Sequence, residues 1–268
     1  MKKGILLICV LVLASCSEYQ DVLQSKDAGE KYSYAEKLYN EASAENSNRK
    51  YRKAIRLFDQ IMPQFRGKPQ GQRVSYLFAD SYYQVGDYLL ADFEFNRFLQ
   101  SYPDSEKAEE AAFKMAASNY HESPPYNLDQ TETDKAILLL QQYLDTYPEG
   151  EYVEAANEMA TELRVKLERK AYEIAKQYHK TLNYKAAIVS FDNFLASYPG
   201  SPFRENAYYY KFDSAYELAI NSYFQLMQER LQEAKTYAVD YMKYYPEGEY
   251  PAVIEVSMDD INKRLQNF

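Results

Sequence analysis

The sequence predicts an all-α fold, a solenoid of five helical hairpins closed by a C-terminal capping helix. The 268 residues contain only 8 Gly and 10 Pro, too few for an all-β sandwich, whose tight turns recur at short intervals. A hydrophobic fraction of 46% beside 26% charged residues supplies both a core and a solvated face, which excludes wholesale disorder. One landmark also recurs along the chain. An aromatic residue precedes proline at Tyr102-Pro103, Tyr147-Pro148, Tyr198-Pro199 and Tyr245-Pro246, and an alanine sits eleven residues before each tyrosine, at Ala91, Ala136, Ala187 and Ala234. Self-similarity at this spacing identifies a stack of supersecondary units.

Residues 1–15 carry two lysines and then an apolar run from Gly4 to Ala14 that is too short to span a bilayer, the layout of a bacterial export signal. Leu13-Ala14-Ser15-Cys16 resembles a lipobox. That resemblance implies cleavage before Cys16, a diacylglyceryl group on its sulfur and an acylated amino terminus, a firmer hold than one chain gives; an ordinary signal with a chance cysteine is the alternative. Ser17, where inner-membrane lipoproteins carry Asp, implies by the same resemblance an anchor in the outer membrane and a domain in the periplasm. Losing 1–15 removes Lys2, Lys3 and Cys9, so the mature charge is 29 − 40 = −11 and no free cysteine is left for a disulfide, a thiolate nucleophile or a thiolate metal site. An acidic chain of this kind lacks the basic face that nucleic acid requires. Residues 16–27 are polar and without periodicity, which predicts a tether.

The hairpins are expected over about 28–67, 70–105, 106–150, 152–201 and 203–248, with the cap over 251–267. In the first unit Ala54 stands eleven residues before Phe65, with Arg66 in the proline slot. Apolar residues then fall at helical spacing, as in Ala54, Phe58, Ile61, Met62 and Phe65, or Ala187, Phe191, Phe194, Leu195 and Tyr198, so one face of each helix is buried. Proline cannot continue a helix and biases the residue before it away from helical angles, so each unit ends there. Ala42, Ala79 and Ala175, each twelve residues before a landmark alanine, leave room for a close helix crossing. The landmark alanines lie 37, 45, 51 and 47 residues apart. The extra length falls at Ser123 to Thr133, around Asn221 to Glu229, and in one long helix over 152–181. Pro251 to Asn267 supplies the terminal cap that a solenoid needs.

This pattern resembles the tetratricopeptide repeat, which implies a right-handed superhelical solenoid. Ser101-Tyr102-Pro103-Asp104-Ser105, Tyr147-Pro148-Glu149-Gly150 and Ser197-Tyr198-Pro199-Gly200-Ser201, at uneven intervals behind a lipobox, are similar to the BamD family, the lipoprotein D component of the outer-membrane β-barrel assembly machinery. The first unit departs by lacking the proline, and the fifth has Leu231 where Tyr51, Tyr88 and Tyr184 stand in others. The resemblance implies a periplasmic scaffold that docks through its carboxyl-terminal repeats on the periplasmic domains of the channel subunit. It further implies that the amino-terminal repeats receive unfolded outer-membrane proteins.

In a tetratricopeptide unit the fifth position of the first helix points into a groove, and counting back from Ala42, Ala79, Ala116 and Ala175 puts Tyr39, Tyr76, Phe113 and Tyr172 there, with Phe212 joining if Ala215 anchors the fifth unit. Tyr83, Tyr120 and Arg73 extend the candidate groove. A row of rings suits an extended peptide with aromatic side chains; packing between first helices is the other reading, above all for Phe113 and Phe212. His121 and His179 stand in different units with no partner cysteine or paired histidine, no nucleophile elbow or phosphate loop occurs, and Glu109-Glu110 and Asp259-Asp260 point about 100° apart on a helix. No enzyme, metal or cofactor is therefore expected beyond the lipid on Cys16. A cell-wall or envelope-constriction scaffold shares these features, and so does a glycan-binding lipoprotein, against which the absence of Trp counts.

Overall fold

A computed structural model describes residues 18–268; the export signal over 1–15 and the candidate lipidation site Cys16 lie outside the described residues. Every regular element among the described residues is a helix. A short helix α1 over 18–24 precedes α2 (Ala28–Glu45), α3 (Asn48–Phe65), α4 (Gly71–Gln84), α5 (Tyr88–Ser101), α6 (Ala108–Glu122), α7 (Thr131–Thr146), α8 (Val153–Lys180), α9 (Tyr184–Ser197), α10 (Arg204–Ile220), α11 (Phe224–Tyr244) and α12 (Pro251–Leu265). They form two compact units. The first runs to Pro124 and resumes over Gln130–Ala160; the second takes Pro125–Asp129 and Thr161–Phe268. In the first unit α2 pairs with α3, α4 with α5 and α6 with α7, while α2 also touches α4 and α4 touches α6. First helices of successive hairpins are thus neighbours, which is the packing of a helical-repeat array. In the second unit Tyr172 and Ala175 of α8 pack on Ala187, Phe191 and Phe194 of α9, and α10 pairs with α11 before α12 closes the run.

The sequence landmarks explain both the stops and the core. Tyr102, Tyr147, Tyr198 and Tyr245 are the C-caps of α5, α7, α9 and α11, and each donates its N–H to the carbonyl four residues back, on Phe98, Tyr143, Phe194 and Tyr241. Those four rings are at most 2% exposed, and a buried ring of this size contributes about 2 kcal/mol. Ala54, Ala91, Ala136, Ala187 and Ala234 are wholly buried, as are Ala42, Ala79, Ala116 and Ala175 on the first helices. The long helix expected over 152–181 is α8, of 28 residues.

An identical hexapeptide, Tyr-Pro-Glu-Gly-Glu-Tyr, stands at 147–152 and 245–250 and makes the same join in each unit. Glu109 of α6 accepts from the Tyr143 hydroxyl at 3.1 Å and from the Glu151 N–H at 2.6 Å, while the Tyr152 N–H donates to the Tyr143 oxygen at 3.1 Å. Glu205 of α10 accepts from the Tyr241 hydroxyl at 2.7 Å and the Glu249 N–H at 2.5 Å, and the Tyr250 N–H donates to the Tyr241 oxygen at 3.0 Å. Gly150 and Gly248 sit where a Cβ would collide with that carboxylate and that hydroxyl. A side chain at either position would have to displace that hydrogen-bonded carboxylate or hydroxyl.

One expectation is corrected, and the extra length is resolved into its parts. Residues 18–24, expected to be part of a structureless tether over 16–27, form α1, with Tyr19 3% and Val22 5% exposed. Two apolar residues three apart suffice to dock a single turn yet are too few to register as periodicity. The extra residues near 221–229 are mostly helix: α11 starts at Phe224 and has 21 residues where α5 and α9 have 14. Phe-Gln-Leu-Met-Gln-Glu-Arg holds no Gly or Pro and is rich in helix formers, so the added length extends the helix by about two turns. The extra length at 123–133 is a loop over 123–130, ahead of α7.

Candidate functional site

Three of the residues expected in the groove meet in one place. Tyr39 of α2 and Arg73 and Tyr76 of α4 line a cavity of about 480 Å³ together with Pro69, Gln72, Leu77, Glu106, Lys107 and Glu110. Arg73 is exposed and pairs with Glu36 at 2.5 Å. Behind it runs a polar chain that sequence reasoning missed. The Tyr39 hydroxyl donates to Asp80 at 2.5 Å, and Lys114 donates to the other Asp80 oxygen at 2.6 Å, to Glu110 at 2.7 Å and to the Tyr76 hydroxyl at 3.3 Å. Lys107 completes it, donating to Glu110 at 2.7 Å. Asp80 is wholly buried. No signal in the sequence singled them out, because the same helices also carry Arg73, Glu109 and Glu122.

Burial pushes the Lys114 ammonium down, but Asp80 and Glu110 together hold its pKa above the ordinary lysine range. Burial likewise raises the Tyr39 and Tyr76 hydroxyls, and neighbouring carboxylates raise them further, so both stay protonated donors. For Glu110 burial acts upward, but hydrogen bonds from Lys107, Lys114 and Tyr76 outweigh it and hold the carboxyl at about 2, below its ordinary 4.5. A depressed carboxylate stabilises the fold above its unfolded value and loses that contribution as pH falls toward the folded one. Glu110→Gln should therefore flatten the loss of stability between pH 4.5 and about 2, read by urea unfolding at stepped pH. A variant with the wild-type acid slope would place Glu110 outside the network.

Most candidate rings are occupied by the fold, Tyr76 included apart from its edge on the cavity, and the expectation of an open row is corrected. Tyr76 is 6%, Phe113 8% and Tyr172 4% exposed. Each is held from one side by rings of its hairpin's second helix: Tyr76 by Phe95 and Phe98, Phe113 by Tyr143, Tyr172 by Phe191 and Phe194. From the other side comes the residue five after the tail tyrosine. Lys107 lies over Tyr76 at 5.3 Å, Tyr152 stacks on Phe113 at 4.5 Å and Phe203 stacks on Tyr172 at 5.3 Å. In the last hairpin Tyr250 stacks at 3.9 Å on Tyr209, and Phe212 is wholly buried. Tyr83, half-buried, packs with Tyr88, Phe95 and His121 away from the cavity, and Tyr120 stands edge-on to His121. Of the two histidines, His121 stacks on Tyr88 at 4.3 Å. His179 faces Ser214 at 3.0 Å and Asp213 at 3.3 Å. Burial raises the Asp213 carboxyl to about 6, helped by the Glu217 charge, and burial lowers the His179 imidazole. Among the described residues no group of three or more His, Cys, Asp or Glu is placed to hold a metal ion, and no helix is long and apolar enough to cross a membrane.

The family described as outer membrane lipoprotein, YfiO, matches this chain over residues 31–189 and again over 178–267. The chain belongs to the YfiO outer membrane lipoprotein family. A relative from Aquifex aeolicus (strain VF5), described as a putative outer membrane protein assembly factor BamD, is 24% identical over 198 residues. That similarity covers 71% of the chain and 63% of the relative, so it spans less than two thirds of that protein's length. Both matches bear out the family resemblance drawn from the tail motifs and the lipobox. As a YfiO-family lipoprotein the chain is associated with the outer membrane.

Proposed function

We propose that the chain is a non-catalytic scaffold of outer-membrane protein assembly, anchored through lipid on Cys16 and facing the periplasm, that docks on the channel subunit and holds segments of unfolded outer-membrane proteins. The observation that carries the reading is the family match across 31–267, which joins an outer membrane lipoprotein to helical hairpins whose first helices lie side by side. The cavity between α4 and its neighbours supports the client role. It offers cations at Arg73 and Lys107, carboxylates at Glu106 and Glu110, the Gln72 amide and the hydroxyl edges of Tyr39 and Tyr76. An extended segment with aromatic side chains and unpaired backbone groups can use the exposed Arg73, Glu106 and Lys107, while the Tyr39 and Tyr76 hydroxyls and Glu110 are engaged in the network behind them. For the channel subunit the reading favours the last hairpin and cap, where Tyr223, Phe224 and Val256 are 83%, 62% and 72% exposed.

The scaffold role is tested by mild detergent extraction of the lipidated protein and mass spectrometry of what co-purifies. A β-barrel protein with soluble periplasmic domains is expected, and its absence overturns the reading. The client site is tested separately with Arg73→Glu, because Arg73 is exposed and its ion pair with Glu36 contributes little stability. Affinity for a carboxyl-terminal barrel peptide should fall about tenfold, which is about 1.4 kcal/mol. Wild-type affinity in a fully helical variant removes the peptide from this cavity.

A further inference from the structure

Arg49, Arg52, Lys53 and Arg56 follow one another on α3 at i, i+3, i+4 and i+7, so they share one face of the helix. With Tyr19 and Gln20 of α1 they line a surface cavity of about 480 Å³. Arg49, Arg52 and Arg56 are exposed. Among the described residues none of the four has a carboxylate at ion-pair distance, whereas Lys50, one step round the helix, is paired with both Glu41 and Glu45. In a chain with 40 acidic and 31 basic residues, four adjacent cations without counter-charges form a local field of the opposite sign to the whole.

The second observation is where this face stands along the chain. Tyr19 is fixed against α3: its ring is 3% exposed, Lys53 lies over it at 4.6 Å and its hydroxyl donates to the Lys53 carbonyl at 3.5 Å. Cys16 precedes Tyr19 by three residues, and three residues of extended chain reach at most about 11 Å. Lipid on Cys16 would therefore bring the cationic face of α3 within reach of the headgroups around the anchor.

We infer that the Arg49–Arg52–Lys53–Arg56 face of α3 binds anionic phospholipid headgroups of the leaflet that holds the lipid anchor. The inference rests on the lipidation of Cys16 in the reading above, and it adds a second, electrostatic attachment. A cation at an anionic bilayer surface contributes about 1 kcal/mol, decaying within a Debye length, and lipid combined with a basic patch is a recognised route to stable anchoring. Two attachments also fix what one cannot. A single lipid attachment leaves the domain free to rotate about it, whereas headgroups on α3 hold its edge of the first unit against the membrane.

The test uses a chain beginning at Ser17, which carries no lipid and retains every contact described above, all of which lie within 18–268. It is floated with phosphatidylcholine vesicles, with and without phosphatidylglycerol, at low and high salt. Binding is expected only to the vesicles with phosphatidylglycerol and is expected to vanish at high salt. Arg49→Glu/Arg52→Glu/Arg56→Glu should lower it at least tenfold, and Arg49→Gln/Arg52→Gln, which keeps good helix formers at both positions, should lower it severalfold with unchanged circular dichroism. Binding to neither vesicle, equal binding to both, or charge variants that float like the parent each overturn the inference; an acidic protein partner for α3 would give the first of these. The mass of the native amino-terminal peptide reports lipidation of Cys16 independently, so failure of the anchor and failure of the patch are told apart.

Discussion

Lys114→Met is expected to destabilise the first unit by about 3 kcal/mol, the loss that follows when one partner of a buried ion pair is removed. Lys114 is 14% exposed at its side chain and Asp80 only 1%, with 2.6 Å between them. Without the ammonium, Asp80 keeps the Tyr39 hydroxyl at 2.5 Å and a long contact to the Gln84 amide at 3.4 Å, donors that carry no charge. A buried carboxylate with neutral partners alone has lost its counter-ion but not its desolvation cost. The effect should spread along the first helices, because Tyr39, Asp80, Lys114 and Glu110 come from α2, α4 and α6. Amide exchange should accelerate in all three, not in α6 alone. The double variant Asp80→Leu/Lys114→Met is expected to lose less than the single one, since exchanging both partners for apolar side chains removes the uncompensated charge. A single variant that loses under about 1 kcal/mol, or a double variant that loses more than the single, would show that the pair does not hold the helices together.

The parts of this fold that were legible from sequence are those set by local backbone chemistry. Tyr-Pro at the end of an apolar helical stretch stops the helix, as Tyr250-Pro251 at the start of one does not, and an alanine at a crossing is small in any context, so the hairpins could be placed from Tyr102, Tyr147, Tyr198 and Tyr245 and their preceding alanines. Length counting was less informative, because extra residues between landmarks are equally a loop or added helical turns; the first holds over 123–130 and the second at the start of α11. The candidate site was half legible. Counting to the fifth position found Tyr39 and Tyr76, yet whether a ring is open depends on the residue that returns across a loop, and Lys107, Tyr152 and Phe203 close over Tyr76, Phe113 and Tyr172. Asp80, Glu110 and Lys114 were illegible for a related reason: each alone is a charge on a helix, and only neighbouring first helices turn them into a buried network.

Gly248→Ala is expected to release the capping helix, with amide exchange over Pro251–Leu265 rising about a hundredfold, equivalent to about 2.8 kcal/mol. The added Cβ would collide with the Glu205 carboxylate and the Tyr241 hydroxyl, two partners of one hydrogen-bonded cluster, so relief at one displaces the other. Overpacking alone costs about 1–3 kcal/mol, and a hydrogen bond to a charged group contributes about 1.5–3 kcal/mol; Glu205 accepts from both Tyr241 and the Glu249 N–H. The cap's other ties are the buried Ile254 and Ile261 with Met258 and Leu265 packed beside them, Tyr216 donating to Asp260 at 2.9 Å, Lys235 donating to Asn262 at 2.7 Å, and Tyr250, which stacks on Tyr209 and donates to Asn206 at 2.7 Å. Because Tyr250 ends the same hexapeptide, displacing Gly248 disturbs the stack as well. Gly150→Ala provides an internal comparison, since the repeated hexapeptide makes the same bonds to Glu109 and Tyr143. Its exchange increase should appear at the start of α8, with α12 unaffected. If Gly248→Ala leaves α12 as protected as the parent, the join at the landmark is not what holds the cap. Stacking and the two isoleucines would then suffice.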